Sequence, residues 1–281
     1  MPASTMASSN IAQPGGAPAW PRTWRKPSLI PDARLRWGLV LLCLGYLVLA
    51  TLDVRVNWER VMEGASRSLT ILLGFATPDF LTRHTEIRHG VLESLAMTFT
   101  STALGIVLSL PVGLGAARNL APLPVYLLCR GIITLSRTFQ EIIIAIFLVA
   151  MFGFGPFAGM LTLAFATIGF LAKLLAEDIE DIDASQLEAV KATGATWGQT
   201  ILYSVAPQVM PRLVGLSVYR LDINFRESAV IGIVGAGGIG ATLNTAFDRY
   251  EYDTAAAILI TIILIVLATE YASGIIRKRL Q

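Results

Sequence analysis

Apolar and polar positions alternate along this chain in long blocks. Residues 37–52 (WGLVLLCLGYLVLATL) carry no charge, and further apolar blocks run over about 94–117, 123–154, 157–176, 212–234 and 254–275. About 20 apolar residues of helix cross the hydrocarbon of a bilayer. The block over 123–154 is longer than one crossing needs and carries Arg130 and Arg137 in its first half. It predicts an interfacial segment leading into a span that begins near Arg137. The expected fold class is therefore all-α, a polytopic membrane helix bundle of about six transmembrane helices.

The segments between the blocks set the domain organisation. Residues 1–34 are rich in Ser, Ala and Pro without an apolar period, which predicts a disordered tail. Residues 35–281 form one transmembrane domain. The basic region before residue 37 is long for a signal peptide and no A-x-A site follows, so the first block reads as an uncleaved helix. Lys and Arg flanking the spans (the tail, Arg118, Lys191, Arg212, and Arg277, Lys278 and Arg279) fit one side of the membrane. With six spans both termini are expected in the cytoplasm. The loop over 53–90 is then external, and Val54, Trp58, Val61, Met62, Ala65 and Leu69 share one face of an amphipathic helix within it.

Composition sharpens the class. Hydrophobic residues make up 54% of the 281 and charged residues 15%, where an ordinary soluble domain has roughly a quarter charged. The net charge of +2 gives no basis for nucleic-acid binding. Cys43 and Cys129 lie far apart in apolar blocks without metal-like spacing, so no metal site is expected.

One polar stretch has its own local logic. Residues 188–207 read EAVKATGATWGQTILYSVAP and lie within a loop of about 178–211. Ser185 with Glu188 has the spacing of a capping box that opens a short helix, and Gly194 suits a left-handed residue that closes it. Thr196 with Gln199 opens a second helix, which Pro207 and Pro211 are expected to interrupt before the next span. The acidic run just before, EDIEDID over 177–183, reads as a solvated helix end.

The spacing Glu188, Ala189, Gly194, nine residues, then a tetrapeptide ending in Pro207 resembles the EAA loop, E-A-A-x3-G-x9-I-x-L-P, of ABC importer permeases. It departs from that pattern at Val190, Ser204 and Ala206. Together with GFGPFAGMLTLAF, LAKLLAEDIEDID, APQVMP, YRLDINFRESAVIGIVGAGGIG and SGIIRKRL, residues 93–280 are similar to the phosphonate-type subfamily of these permeases. Gln140 stands where related permeases often have proline. The resemblance implies the type I ABC importer permease fold in a bacterial inner membrane. It implies a pair with a second copy of the chain, two ATP-binding subunits that carry ATP and Mg, and an extracytoplasmic binding protein. The cargo would be phosphonate, phosphite, hypophosphite or phosphate.

No cofactor is expected in this chain, because none of its four lysines follows a glycine as a Walker A lysine does. The coupling helix implied by the resemblance covers Ser185, Leu187, Glu188, Ala189 and Ala192, with Gly194 at its end. An importer for a different small solute, or a secondary transporter, are the competing classes. The latter should show two similar halves with broken helices, which the sequence lacks.

Two further features need a reading. Gly235, Gly237, Gly238 and Gly240 in GAGGIG match G-x-G-x-x-G formally, but no repeated βαβ pattern surrounds them, so they predict a helix break with close backbone packing. Charges inside the spans are costly unless paired, hydrated or useful. Tyr219, Asp222 and Arg226 form one helical stripe, and Arg220, Asn224 and Glu227 the next. Asp222 with Arg226, Arg137 with Glu141, and Lys173 with Glu177 have i,i+4 spacing for ion pairs. The rival expectation is a translocation pathway over Arg137, Glu141, Asn224, Arg226 and Glu227, in which guanidinium groups meet a passing oxyanion.

Overall fold

A computed structural model describes residues 32–53 and 57–280. Most of the expected tail, through residue 31, and Val54 lie outside the described residues. Ala33 and Arg34 already belong to the first helix. The chain divides into two compact units, Met1–Ala65 and Ser66–Gln281. In the first, α1 (Ala33–Asp53) is apolar around its circumference, as a helix facing lipid must be. The amphipathic helix expected after it forms as α2 (Trp58–Ala76), which runs on into the second unit. The apolar face of α2 is open, with Trp58, Met62 and Leu69 at 71%, 72% and 61% exposure.

The described residues of the second unit form helices joined by short turns, with no strand among them. Its centre is the pair α3 (His84–Ala116) and α6 (Pro156–Glu180). The buried face of α3 is built of small residues, including Gly90, Ser94, Ser101, Gly105, Ser109 and Gly113. Lipid tails are as apolar as leucine, so helices in a membrane gain little from hiding leucine and associate by close packing instead. Gly113 has that purpose, since a Cβ there would lie 2.7 Å from Leu175 Cδ2 of α6. The hydroxyls on this face bond back to their own helix, as in Thr98 Oγ1 to Ser94 O at 2.7 Å and Thr102 Oγ1 to Thr98 O at 2.7 Å. No polar group of those side chains is left facing hydrocarbon.

The long third block differs from its expectation. It folds as α4 (Leu123–Thr138) and α5 (Glu141–Phe152), bent by 95° to each other. The first piece is part of the packed bundle, burying Cys129, Ile133 and Ser136. The second has only 12 residues, too few to cross a membrane alone. Phe139 and Gln140 are extended between them (φ −95°, ψ 137° and φ −70°, ψ 144°), so the kink forms without the proline of related chains. Five described helices are long and apolar enough to cross a membrane, six with this bent pair taken as one.

After α6 come α7 (Ala184–Ala192) and a one-turn helix α8 (Trp197–Thr200). The expected interruption at Pro207 and Pro211 does not occur. Instead α8 widens into a π turn over Ile201–Val205 and continues as α9 (Ala206–Ile231). The Ala206 N–H reaches Ile201 O in the wide turn, and Pro207 falls at the start of the new α segment, where its missing N–H costs least. A second π turn (Gly232–Ala236), α10 (Gly238–Asp248) and α11 (Tyr252–Leu280) complete the chain.

Candidate functional site: a capped loop at the end of α6 and a charged elbow between α4 and α5

The α6 end is tied down on every side. Glu180 accepts from Arg130 Nη2 at 2.9 Å and from the Arg118 N–H at 2.8 Å. Asn119 Nδ2 donates to Ile179 O at 2.7 Å, and Asp178 meets Arg212 of α9 at 3.0 Å. Lys173 and Glu177 make their predicted pair at 3.4 Å. The acidic run is solvated at Glu180, Asp181 and Asp183, as expected, and Asp178 and Glu180 also tie the helix end to Arg212, Arg118 and Arg130. Spacing alone hid this, because the partners Arg118, Arg130 and Arg212 are remote in sequence.

The cap of α7 also differs from its expectation. Asp183, and not Ser185, is the N-cap, and its carboxylate accepts from the Ser185 N–H at 2.9 Å. Hydrogen bonds from the Ser185 hydroxyl and backbone hold the Asp183 carboxyl below the usual carboxylate range. Ser185 is already inside the helix, and Glu188 is exposed one turn on. The Asp183 N–H in turn donates to Gln208 Oε1 of α9 at 3.1 Å. Gly194 closes α7 with φ +77°, and the Gln199 side chain accepts from the Thr196 N–H at 2.8 Å to open α8.

Leu187 fixes α7 to the bundle. It is buried with Leu175, Ile179, Val205, Val209 and Leu213, whereas Ser185, Glu188, Ala189, Ala192 and Gly194 are exposed. A helix held by one leucine and a capped start leaves these residues exposed. Gln208 and Arg130 are the residues of this site that sequence spacing did not single out.

The second cluster lies at the elbow. Ser136, Arg137, Thr138, Phe139, Gln140, Glu141, Ala166, Phe170 and Arg220 line a cavity of about 360 Å³. The predicted Arg137–Glu141 pair is not made, because the helix breaks between the two residues. Glu141 faces Arg220 of α9 instead, at 3.7 Å from Nη2. Arg220 is 4% exposed. Its Nε donates to Thr167 Oγ1 at 3.2 Å, and its guanidinium carbon stands 5.5 Å from the centre of the Phe170 ring. Thr167 also accepts from Asn224 Nδ2 at 2.9 Å, and Asn224 reaches Thr102 at 2.8 Å, which links α9, α6 and α3.

Of the predicted pathway residues, the structure brings Arg137 and Glu141 together and joins Asn224 to them through Thr167 and Arg220. Glu227 is half-buried and acts on Arg220 through its charge. Arg226 belongs elsewhere. It makes its predicted pair with Asp222 at 2.9 Å, and Asp222 also accepts from Thr269 of α11 at 3.0 Å. Arg220 is the residue the reading missed, although it shares a helical stripe with Asn224 and Glu227.

The glycine break is present. Gly235, Gly237 and Gly238 have φ of +92°, +78° and +73°, which an L side chain rarely adopts. The Gly155 N–H donates to Gly235 O at 3.0 Å, and Gly240 lies where any Cβ would strike Ala229 O. The motif serves backbone packing between helices, with no strand beside it.

Comparison with known proteins agrees with this architecture. Residues 109–281 match the family "Binding-protein-dependent transport system inner membrane component". The "Phosphite transport system permease protein PtxC" of Stutzerimonas stutzeri is 36% identical over 87% of this chain and 89% of its own length. The "Phosphate-import permease protein PhnE" of Mycolicibacterium smegmatis is 40% identical over 89% of this chain, which spans about half (47%) of that protein. Among solved structures, a chain of the MetNI methionine ABC transporter in inward facing conformations is 26% identical, with a TM-score of 0.59 over 69% of this chain and 96% of that one. An all-helical bundle with these helices and these relatives is the type I ABC importer permease fold. The chain belongs to the family of binding-protein-dependent transport system inner membrane components, the multi-pass permease subunits of ABC importers.

Proposed function

We propose that this permease translocates phosphonate or a small phosphorus oxyanion such as phosphite or hypophosphite. An extracytoplasmic binding protein delivers the anion, and two separate ATP-binding subunits, which carry ATP and Mg, drive the cycle. The permease acts as a pair of identical chains, with both termini in the cytoplasm. The observation that carries the reading is α7, a capped helix seated on the bundle by Leu187 with its remaining faces open. Two relatives named for phosphate or phosphite transport support the cargo class.

The physical logic is rigid-body coupling. When the ATP-binding subunits close, α7 moves with them. The ties from Asp183 to Gln208 and from Glu180 to Arg130 pass that displacement to α9 and α4. Arg137, Glu141, Asn224 and Glu227 lie along the pathway. The charge of Arg226 is already engaged, by Asp222 at 2.9 Å. Tight, specific affinity resides in the binding protein, because a permease site that held the anion tightly would resist release, and any site in this chain is weak.

A different small solute is the second reading. It is favoured by a "Probable D-methionine transport system permease protein MetI" of Pasteurella multocida, 31% identical over 53% of this chain. Reconstitution with candidate ATP-binding and binding proteins separates the two. Stimulation of ATP hydrolysis by phosphonate, phosphite or hypophosphite, and none by methionine, is the expected result. Stimulation by methionine alone overturns the proposal.

A further inference from the structure

An unsatisfied donor lies beside the elbow cavity. Arg220 is almost fully buried, yet its Nη2 has no hydrogen-bond partner, and 3.7 Å to Glu141 is too long for one. A buried guanidinium donor without a partner is costly. Arg220 also lines a cavity that presents Arg137, Ser136, Thr138 and Gln140. A water occupies about 30 Å³ of liquid. The 360 Å³ here therefore accommodates a small oxyanion that keeps part of its hydration.

The charges of the lining make the chemistry narrower. Arg137 and Arg220 against Glu141 give a formal +1, which a monoanion neutralises. A dianion would place surplus negative charge beside Glu141, with Glu227 also acting on the same arginine. An ionised carboxylate only accepts hydrogen bonds, so it can face an oxyanion favourably only if the oxyanion itself carries a proton to donate. Monoanionic phosphite and dihydrogen phosphate have such a hydroxyl. Sulfate has none.

We propose that the α4–α5 elbow is a selective subsite for one protonated tetrahedral oxyanion, with Arg220 and Arg137 binding its anionic oxygens and Glu141 accepting from its acid hydroxyl. This rests on the oxyanion reading above and deepens it. Arg220 is the residue that makes the site, because Thr167 and Phe170 hold it in place and it lines the cavity from α9 opposite Arg137 of α4. Glu141 discriminates, since it admits the protonated anion and repels the fully ionised one. Gln140 and the extended backbone at Phe139 set the bend that brings the arginines of α4 and α9 to one cavity.

The test uses the purified full-length chain in maltoside micelles, with phosphite in slightly acid buffer observed by phosphorus NMR line broadening. Wild type is expected to broaden the phosphite signal, and equimolar sulfate is expected to leave it unchanged. Arg220→Lys should weaken binding about tenfold through loss of the planar fork, and Arg220→Gln should abolish it. Glu141→Gln should let sulfate compete with phosphite. This variant keeps the test decisive should Arg220→Gln fail to fold. No broadening in wild type overturns the subsite, as does displacement by equimolar sulfate or selectivity unchanged in Glu141→Gln. Phosphite uptake by cells dependent on this chain is measured in parallel. Uptake without binding removes only the subsite, whereas binding without uptake removes the transport reading.

Discussion

The two charged regions solve the same problem in opposite ways. At the α6 end, Glu180, Asp178 and Asp183 each have a partner at 3.0 Å or less, and what is left over is one buried acceptor, Asp178 Oδ2. At the elbow the closest charge pair stands at 3.7 Å and Arg220 Nη2 is unpartnered. The first arrangement resists deformation, because moving any one group breaks a charge-assisted hydrogen bond. The second has donors to spare and loses little when an anion enters. A transporter needs both, a stiff region that conveys displacement and a loosely satisfied one that cargo can enter and leave.

The largest expected effect breaks the stiff region. Glu188→Pro puts proline inside α7, which costs about 3 kcal/mol locally. The chain should still insert, while substrate-stimulated ATP hydrolysis by the assembled importer is lost. Normal stimulation in this variant would mean that α7 does not couple.

A smaller effect is expected at the pair outside both regions. Asp222 is buried while Arg226 is half exposed, so Arg226→Met strands a carboxylate whose remaining partner is Thr269. The cost should be about 2 kcal/mol in thermal unfolding, and Asp222→Leu with Arg226→Met should recover most of it. Full uptake by the double variant confirms that the Arg226 charge is structural. Folding without uptake would move Arg226 into the pathway beside Arg137.

Acid should loosen the start of α7 selectively. The Asp183 carboxyl is depressed by its bonds to Ser185, so its contribution is present in full above the ordinary carboxylate range. It is lost as pH falls through the lowered folded value. Faster amide exchange at Ser185 should appear in that acid window and be absent from the pH profile of Asp183→Asn. An unchanged profile would place the cap elsewhere.

The smallest effect sharpens the account of the elbow. Gln140 has φ −70° and ψ 144°, and Phe139 before it is extended, which are the conformations that proline and its predecessor adopt. Gln140→Pro should change stability by less than about 1 kcal/mol. A severe loss would show that the Gln140 amide or N–H matters beyond the bend.

Much was legible from the sequence because it depends on local or periodic information. The apolar blocks located α1, α3, α6, α9 and α11. The i,i+4 spacing found the Asp222–Arg226 and Lys173–Glu177 pairs, since a continuous helix sets that geometry by itself. Glycine at 194 marked a left-handed position, and glycine at 235, 237 and 238 marked the helix break, where positive φ is cheap for glycine. Two local readings failed where neighbouring signals competed. Asp183 supplied a cap two residues before Ser185, and a π turn absorbed the proline that was expected to end α8.

What the tertiary structure alone decided is which remote groups share a space. Arg220 with Glu141 is a contact across 79 positions, and it exists because α4 and α5 bend by 95° at residues that carry no proline or glycine. Likewise Glu180 finds Arg130 and Arg118 only once α6 is packed against α3 and α4. A sequence fixes the hydrophobic pattern and the local caps, since both depend on residues within a few turns. The pairing of buried charges depends on where small residues let helices approach, and that is a property of the assembled bundle.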